Sequence, residues 1–233
     1  LFVLSVGGLG TMQVLKAKDW KRAAIMVIAL LVMLLCLVLT YSRGMWLSLA
    51  VTVFVAGLCV ERRLLYALLI VPLVLFFYHG EVSSRLWSLF SGQDTSVMLR
   101  WALWDSTMYM IEDFPVFGIG WDAFWMTYPD YNYFIQDPTV IIYHAHNLYL
   151  QIAAETGPVS LCLFLAILLG HSRNIQKHKN TSLGTPLRYS MTLVTVAVMV
   201  SGLFDHALYS QQVSLVLWQL LGFAMAIIRT TTK

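Results

Sequence analysis

AAIMVIALLVMLLCLVLTY, residues 23–41, runs nineteen positions without a charged side chain. A helix of that length rises about 28 Å, close to the hydrocarbon thickness of a bilayer. The stretch reads as a transmembrane helix and sets the class of the chain. Working outward, Lys16, Lys18, Lys21 and Arg22 precede it, after a partial apolar segment over residues 1–13 broken by Gly7, Gly8 and Gly10. Ser42-Arg43-Gly44 ends it, and Met45 to Val60 leads back to Glu61-Arg62-Arg63. Leu64 to His79 is another apolar run, with Pro72 placed to kink it. Asn147 to Leu169, Leu187 to Phe204 and Val213 to Ile228 are three more. The composition agrees: 59% of residues are hydrophobic and only 12% charged, against about 25% charged in soluble domains. The expected fold is all-α, a polytopic transmembrane helical bundle of about six full spans plus a partial N-terminal one. Residues 1–79 and 146–233 supply the helices, and 80–145 form a large loop. The chain opens on Leu1 in mid-span and reads as the C-terminal part of a longer protein.

Charge gives the orientation. If successive runs alternate sides, one side collects 12 of the 15 Lys and Arg residues. The positive-inside rule makes that side cytoplasmic. Arg43, Arg85, Arg100 and the loop then share the outer face. An arginine at membrane depth is costly unless it is paired or faces a wet cavity, so Arg43 is a functional candidate; the plainer alternative is snorkelling to headgroups. Arg100 is expected to open an amphipathic helix, with Trp101, Trp104, Met108 and Ile111 at helical spacing and Pro115 after it; the plainer alternative is that Trp101 and Trp104 bury a seam and Arg100 is solvated. Arg85 has only Trp87 near it and reads as solvated.

The loop holds 15 aromatics in 66 residues, too many for a disordered segment. It should be folded, as short helices on the membrane surface. Trp104 and Trp121 could face sugar rings or belong to an interfacial belt. Nothing indicates nucleic acid, because the net charge is +3 and no basic run is interleaved with aromatics. Cys36, Cys59 and Cys162 lie inside apolar runs without metal or disulfide spacing. The loop acids show no metal-ligand spacing, so neither metal nor cofactor is expected.

Chemistry concentrates at Tyr143-His144-Ala145-His146-Asn147-Leu148-Tyr149, continuing to Glu155-Thr156-Gly157. Here a water-exposed loop enters a helix, whose positive end favours anions and a neutral imidazole. His146 is therefore a candidate general base beside an anion site. On position alone, capping the helix at headgroup level is the simpler role. Glu155 lies nine residues on, about 180° around a helix, and should not hold that imidazole. Asp205-His206, at the outer end of a span, reads first as a helix-end pair and second as part of the same cavity.

Thr40-Tyr41-Ser42-Arg43-Gly44, Arg100 with Trp104, Pro115-Val116-Phe117-Gly118-Ile119-Gly120-Trp121 with Phe124, His144-Ala145-His146-Asn147 and Glu155-Thr156-Gly157 follow one another in this order. The set resembles the O-antigen ligase and polymerase superfamily of bacterial membrane glycosyltransferases, over roughly residues 30 to 170. The ligase signature is His, then Asn, Ser or Gln, nine residues, and Gly-x-x-Gly. Here His146-Asn147 and Gly157 fit, and Ser160 replaces the last glycine. The resemblance implies a metal-independent, inverting transfer on the periplasmic face of the bacterial inner membrane. The donor would be a glycan on undecaprenyl diphosphate, and the acceptor a glycolipid or glycan hydroxyl such as lipid A-core. It also implies Arg43 and Arg100 on the diphosphate and His146 as base, with His144 the alternative base. Trp104, Trp121, His144 and Asn147 would line the substrate. Polymerases and protein O-oligosaccharyltransferases share these motifs, and some relatives carry bicarbonate-transport labels, so a transporter is the expectation from another class.

Overall fold

The computed structural model describes residues 20–66, 68–69, 95–134, 140–177 and 184–231. Among these residues every regular element is helical. Helix α1 (Trp20–Leu39) is apolar all round, and only Leu37 is buried in the protein. Ile25, Ile28 and Leu31 are each about three-fifths exposed. Such a helix cannot stand in water and is suited to lipid contact. It turns through Thr40 and Tyr41, where the Trp46 indole donates to the Leu37 carbonyl at 3.1 Å. Helix α2 (Arg43–Cys59) then returns.

The α2 face that is buried carries Ser48, Thr52 and Ala56, small residues four apart that let another backbone come close. Its neighbour is α7 (Gly184–Ser201), whose Ala197 carbonyl accepts from Ser48 Oγ at 3.2 Å. Met191, Val194 and Val198 of α7 join Leu168 and Ile175 of α6 (Pro158–Lys177) and Leu217, Leu221 and Ala224 of α8 (Gln211–Thr231) in one core. At one end of that core Arg188 Nε donates to Gln176 Oε1, linking α7 to α6. Among the described residues three helices, α1, α6 and α8, are long and apolar enough to cross a membrane.

A second cluster holds the loop. Helix α3 (Thr95–Asp113) and the short helix α4 (Phe124–Thr127) bury Leu103, Met110, Phe124 and Tyr128 around Ala145. The loop is folded and helical there, as its aromatic content requires. Two expectations about α3 are corrected. Arg100 lies in its second turn instead of opening it. The buried face is Leu103, Ser106, Thr107 and Met110, while Trp101 and Met108 of the expected set are 64% and 46% exposed. Apolar residues ring α3, so more than one stripe satisfies a 3.6-residue period and packing against Ala145 chooses between them.

The expected span over 147–169 is also corrected. Helix α5 (Leu148–Thr156) ends at Gly157, whose φ is +88°, and Pro158 starts α6. Glycine just past one helix and proline at the first position of the next is the usual division of those roles. The crossing length belongs to α6 alone, so α5 with Glu155 stands before the span. The remaining helices start and stop within a few residues of the expected runs. Most of the 64–79 run, the 1–13 segment and Arg85 lie outside the described residues.

Candidate functional site

Helix α5 is fixed at both ends, and that fixes the histidine pair. Asn147 caps its start, its Oδ1 accepting from the Tyr149 and Leu150 amides at 3.0 and 3.1 Å. Such a cap is worth about 1 kcal/mol. Asn147 Nδ2 reaches the Leu203 carbonyl, and the Leu148 amide donates to the Gly202 carbonyl at 2.8 Å. The start of α5 is thereby tied to the segment leaving α7. Asn147, expected among the substrate contacts, is buried and has both amide atoms engaged in this junction.

Ala145 is clamped on its other side. Its amide donates to Gln151 Oε1 at 2.7 Å, and its carbonyl accepts from Trp104 Nε1 at 3.0 Å. Between these fixed neighbours His146 sits at φ +50°. The left-handed region is uncommon for any residue with a Cβ, histidine being among the more tolerant, and costs about 1–2 kcal/mol. The clamps hold it there and turn the imidazole toward Asp205.

His146 Nδ1 and Asp205 Oδ1 are 3.1 Å apart, and both side chains are 38% exposed. The contact orients the ring while leaving it open to a substrate. Burial alone would raise the Asp205 carboxyl. The hydrogen bond from His146, the His206 amide at 2.8 Å and the electrostatic influence of the two neighbouring imidazoles outweigh it, holding the group below the usual carboxylate range. An ionised Asp205 accepts, so the matching imidazole tautomer carries its proton on Nδ1 and keeps a lone pair on Nε2. This pairing replaces the preferred reading of Asp205-His206 as a mere helix-end pair. The signal was available: the charge bias already put Asp205 on the same face as His146.

His144 lies against this dyad, its ring centroid 4.2 Å from that of His146. Its Nδ1 accepts from the His146 amide at 3.3 Å. Burial and the neighbouring imidazole hold it neutral, below the usual histidine range. His206 is more deeply buried and is pushed down to about 4 by the same two causes. Tyr209 closes the group, 5.2 Å from the His144 ring. His206 was expected there only in the second reading of Asp205-His206, and Tyr209 was not expected.

The arginines approach from α2 and α3. Arg43 Nη2 donates to Ser96 Oγ at 3.1 Å. Ser96, Arg100 and Trp104 are four apart on α3 and so form one stripe. One end of the stripe holds Arg43 and the other holds Ala145. Arg100 lies on α3 between Ser96 and Trp104, about 6 Å along the axis from each. A second link runs through Gly44, where an added Cβ would strike the Phe204 side chain. Arg43 is thus one residue from a contact that is itself one residue from Asp205. These contacts tie Arg43 to the start of α3, and Trp104 to Ala145 between the two histidines; Arg100 shares the α3 stripe.

Trp121 stands apart from these contacts. Its turn docks on the far end of α5, where the Ile119 and Gly120 amides donate to the Ala154 and Glu155 carbonyls at 2.8 and 2.9 Å. Those carbonyls have no partner within the helix, so the turn caps it. Gly118, at φ +69°, touches the α5 backbone there and leaves no room for a side chain. Trp121 itself is 80% exposed. Beneath the turn Glu155 is buried and accepts from the Phe124 amide at 3.3 Å, away from the imidazole as expected. Burial raises its carboxyl above the ordinary 4.5, despite the amides of Phe124 and Asp122. A raised carboxyl favours the folded state when protonated, and that contribution is lost as pH climbs through the raised value. Glu155→Gln should therefore raise the unfolding temperature at pH 8 and leave it unchanged at pH 4, as thermal scans at both pH values would show.

Residues 28–165, more than half of the chain, match a family model described as O-antigen ligase. No curated protein matches the chain. The matched stretch contains Arg43, Arg100, Trp104 and both loop histidines, whereas Asp205 falls beyond its end.

Proposed function

The chain belongs to the O-antigen ligase family, and from that we propose that it transfers a glycan from undecaprenyl diphosphate to an acceptor hydroxyl, on the periplasmic face of the bacterial inner membrane. The orientation rests on the charge bias, which puts the rim bearing His146 outside. About six spans complete the bundle in this reading, with residues 80–145 as its extracytoplasmic loop. The observation that carries the chemistry is the part-exposed His146–Asp205 pair next to Ala145, which holds one end of an α3 stripe that carries Arg100 and contacts Arg43.

In this mechanism Asp205 holds the Nδ1 proton and Nε2 takes the proton of the acceptor hydroxyl. The freed oxygen attacks the anomeric carbon from the side opposite the diphosphate. The carbon–oxygen bond to the diphosphate breaks, its electron pair stays on the phosphate oxygen, and the configuration inverts. Arg43 and Arg100 meet the charge that grows there, as permanently ionised groups able to bind phosphate in a fork. Trp104 stacks on a sugar ring, and Trp121 extends the glycan path. Asn147 acts through His146 by fixing the helix start.

The test is product formation by protein purified in nanodiscs, given the lipid-linked glycan and lipid A-core. Arms with a second lipid-linked glycan or with an acceptor protein separate ligase from polymerase and from protein glycosylation. Transfer to none of them, with bicarbonate uptake in vesicles, would replace the reading with transport. With guanidinium groups in the place of a metal, transfer should proceed undiminished in EDTA. A strong loss of rate with chelator, restored by a divalent ion, would contradict the mechanism.

A further inference from the structure

His144, His146 and Asp205 each present one ligand atom, and these atoms lie within 4.8 Å of one another. We propose that the three bind one transition-metal dication of the zinc class, and that filling this site switches transfer off. The binding half stands on the geometry alone; the inhibitory half rests on the reading of His146 as base.

The donor set selects the ion. Two imidazoles and a carboxylate suit zinc, copper or nickel, whereas magnesium and calcium prefer all-oxygen sites. Tetrahedral zinc with bonds of about 2.0–2.2 Å places its ligands roughly 3.3 Å apart. His146 Nδ1 and Asp205 Oδ1 already stand at 3.1 Å. The widest separation must close by about 1.5 Å at most to reach that spacing. His144 Nδ1 becomes available by giving up its long bond from the His146 amide. Three protein ligands leave a fourth position for water.

A second observation points the same way. His206 is 9% exposed, and its Nδ1 is buried without a hydrogen-bond partner. Buried polar atoms are nearly always satisfied. Its ring lies 6.1 Å from that of His144, beside the three ligands. The His206 amide meanwhile fixes the Asp205 carboxylate from behind. An unsatisfied nitrogen on the ring next to this group is available to accept from a water that an ion would carry.

Occupancy must disable the base. A neutral imidazole has one N–H and one lone pair. If the ion takes Nε2 of His146, the lone pair is used directly. If it takes Nδ1, the proton moves to Nε2, and again no lone pair is left for the acceptor hydroxyl. Asp205 is drawn from its orienting role in either case. The ion competes with catalysis and does not assist it, so chelator should leave the rate unchanged or raise it.

The experiment uses metal-stripped protein in nanodiscs. Co²⁺ is titrated and followed by its visible d–d bands, and Zn²⁺ is then used to displace it. One Co²⁺ per chain is expected, with affinity reduced at least tenfold in both His144→Gln and Asp205→Asn. Thermal unfolding without metal checks that these variants are folded. In parallel, Zn²⁺ should stop transfer by the unaltered protein with the midpoint of its binding curve, and chelator should restore the rate. Absence of cobalt bands at tenfold excess of ion, or binding unchanged in both folded variants, overturns the site. Binding that leaves transfer untouched overturns the switch and the assignment of His146 as base together. If no ion binds while His146→Ala is inactive, the metal site fails and the base stands.

Discussion

His146→Ala should lower glycan transfer by about 10²–10⁴-fold, the range for losing a positioned general base. The loss should fall on kcat, because the proton moves only as the acceptor attacks. Folding is a separate matter, since position 146 is held at φ +50°. His146→Asn is the sharper variant: asparagine tolerates the left-handed region and offers no base of comparable strength. Asp205→Asn should be nearly as damaging through a different route. Its amide can donate to Nδ1, which shifts the imidazole proton to Nε2 and removes the lone pair. Since the two residues work as a unit, the double variant should be little slower than the worse single one. Near-normal surface glycan in cells carrying either histidine variant, at matched protein level, would remove the dyad from the mechanism. Rate losses that multiply in the double variant would show that Asp205 acts independently of the ring.

The elements of the site were legible to different degrees, for identifiable reasons. The long apolar run ending near Tyr41 and the histidine pair at a helix start are local signals, and helix α1 and the Asn147 cap follow them closely. Gly157 misled because its neighbours are apolar: hydropathy fused α5 and α6 into one span, while the backbone breaks there under the docked 114–120 turn. The α3 face misled because tryptophan and methionine occur all round that helix, and only contact with Ala145 selects Leu103 and Met110. Asp205 was placed at the cavity only as a second reading, and Ser96 was missed, because their partners lie 59 and 53 residues away. Sequence spacing carries no direct sign of such contacts. What it did carry was sidedness: the charge bias put Arg43, Arg100, His146 and Asp205 on one face, and that restricted which distant pairs could meet.

Arg43→Lys and Arg100→Lys should each lower transfer by about 10²-fold, although the charge is kept, in line with the loss of one preorganised donor to a developing charge. Lysine offers a point charge on a flexible stem, whereas guanidinium holds several N–H groups in a planar fork that matches phosphate oxygens. For Arg43 the structure adds a reason, since one arm of the fork is anchored on Ser96 Oγ, a geometry an ammonium group cannot copy while also reaching the donor. Ser96→Ala should accordingly cost much less than Arg43→Lys, because it frees the arm without removing it. The charge on the leaving phosphate oxygen grows only in the transition state, so kcat should fall more than the KM for the lipid-linked donor. In the proposed mechanism the two arginines serve one diphosphate, from α2 and from the middle of the α3 stripe. The double variant should therefore lose less than the product of the single losses. A rise in donor KM with kcat unchanged would reduce both residues to ground-state binding. Rates unaffected by either substitution would separate the α2 and α3 arginines from the chemistry at His146.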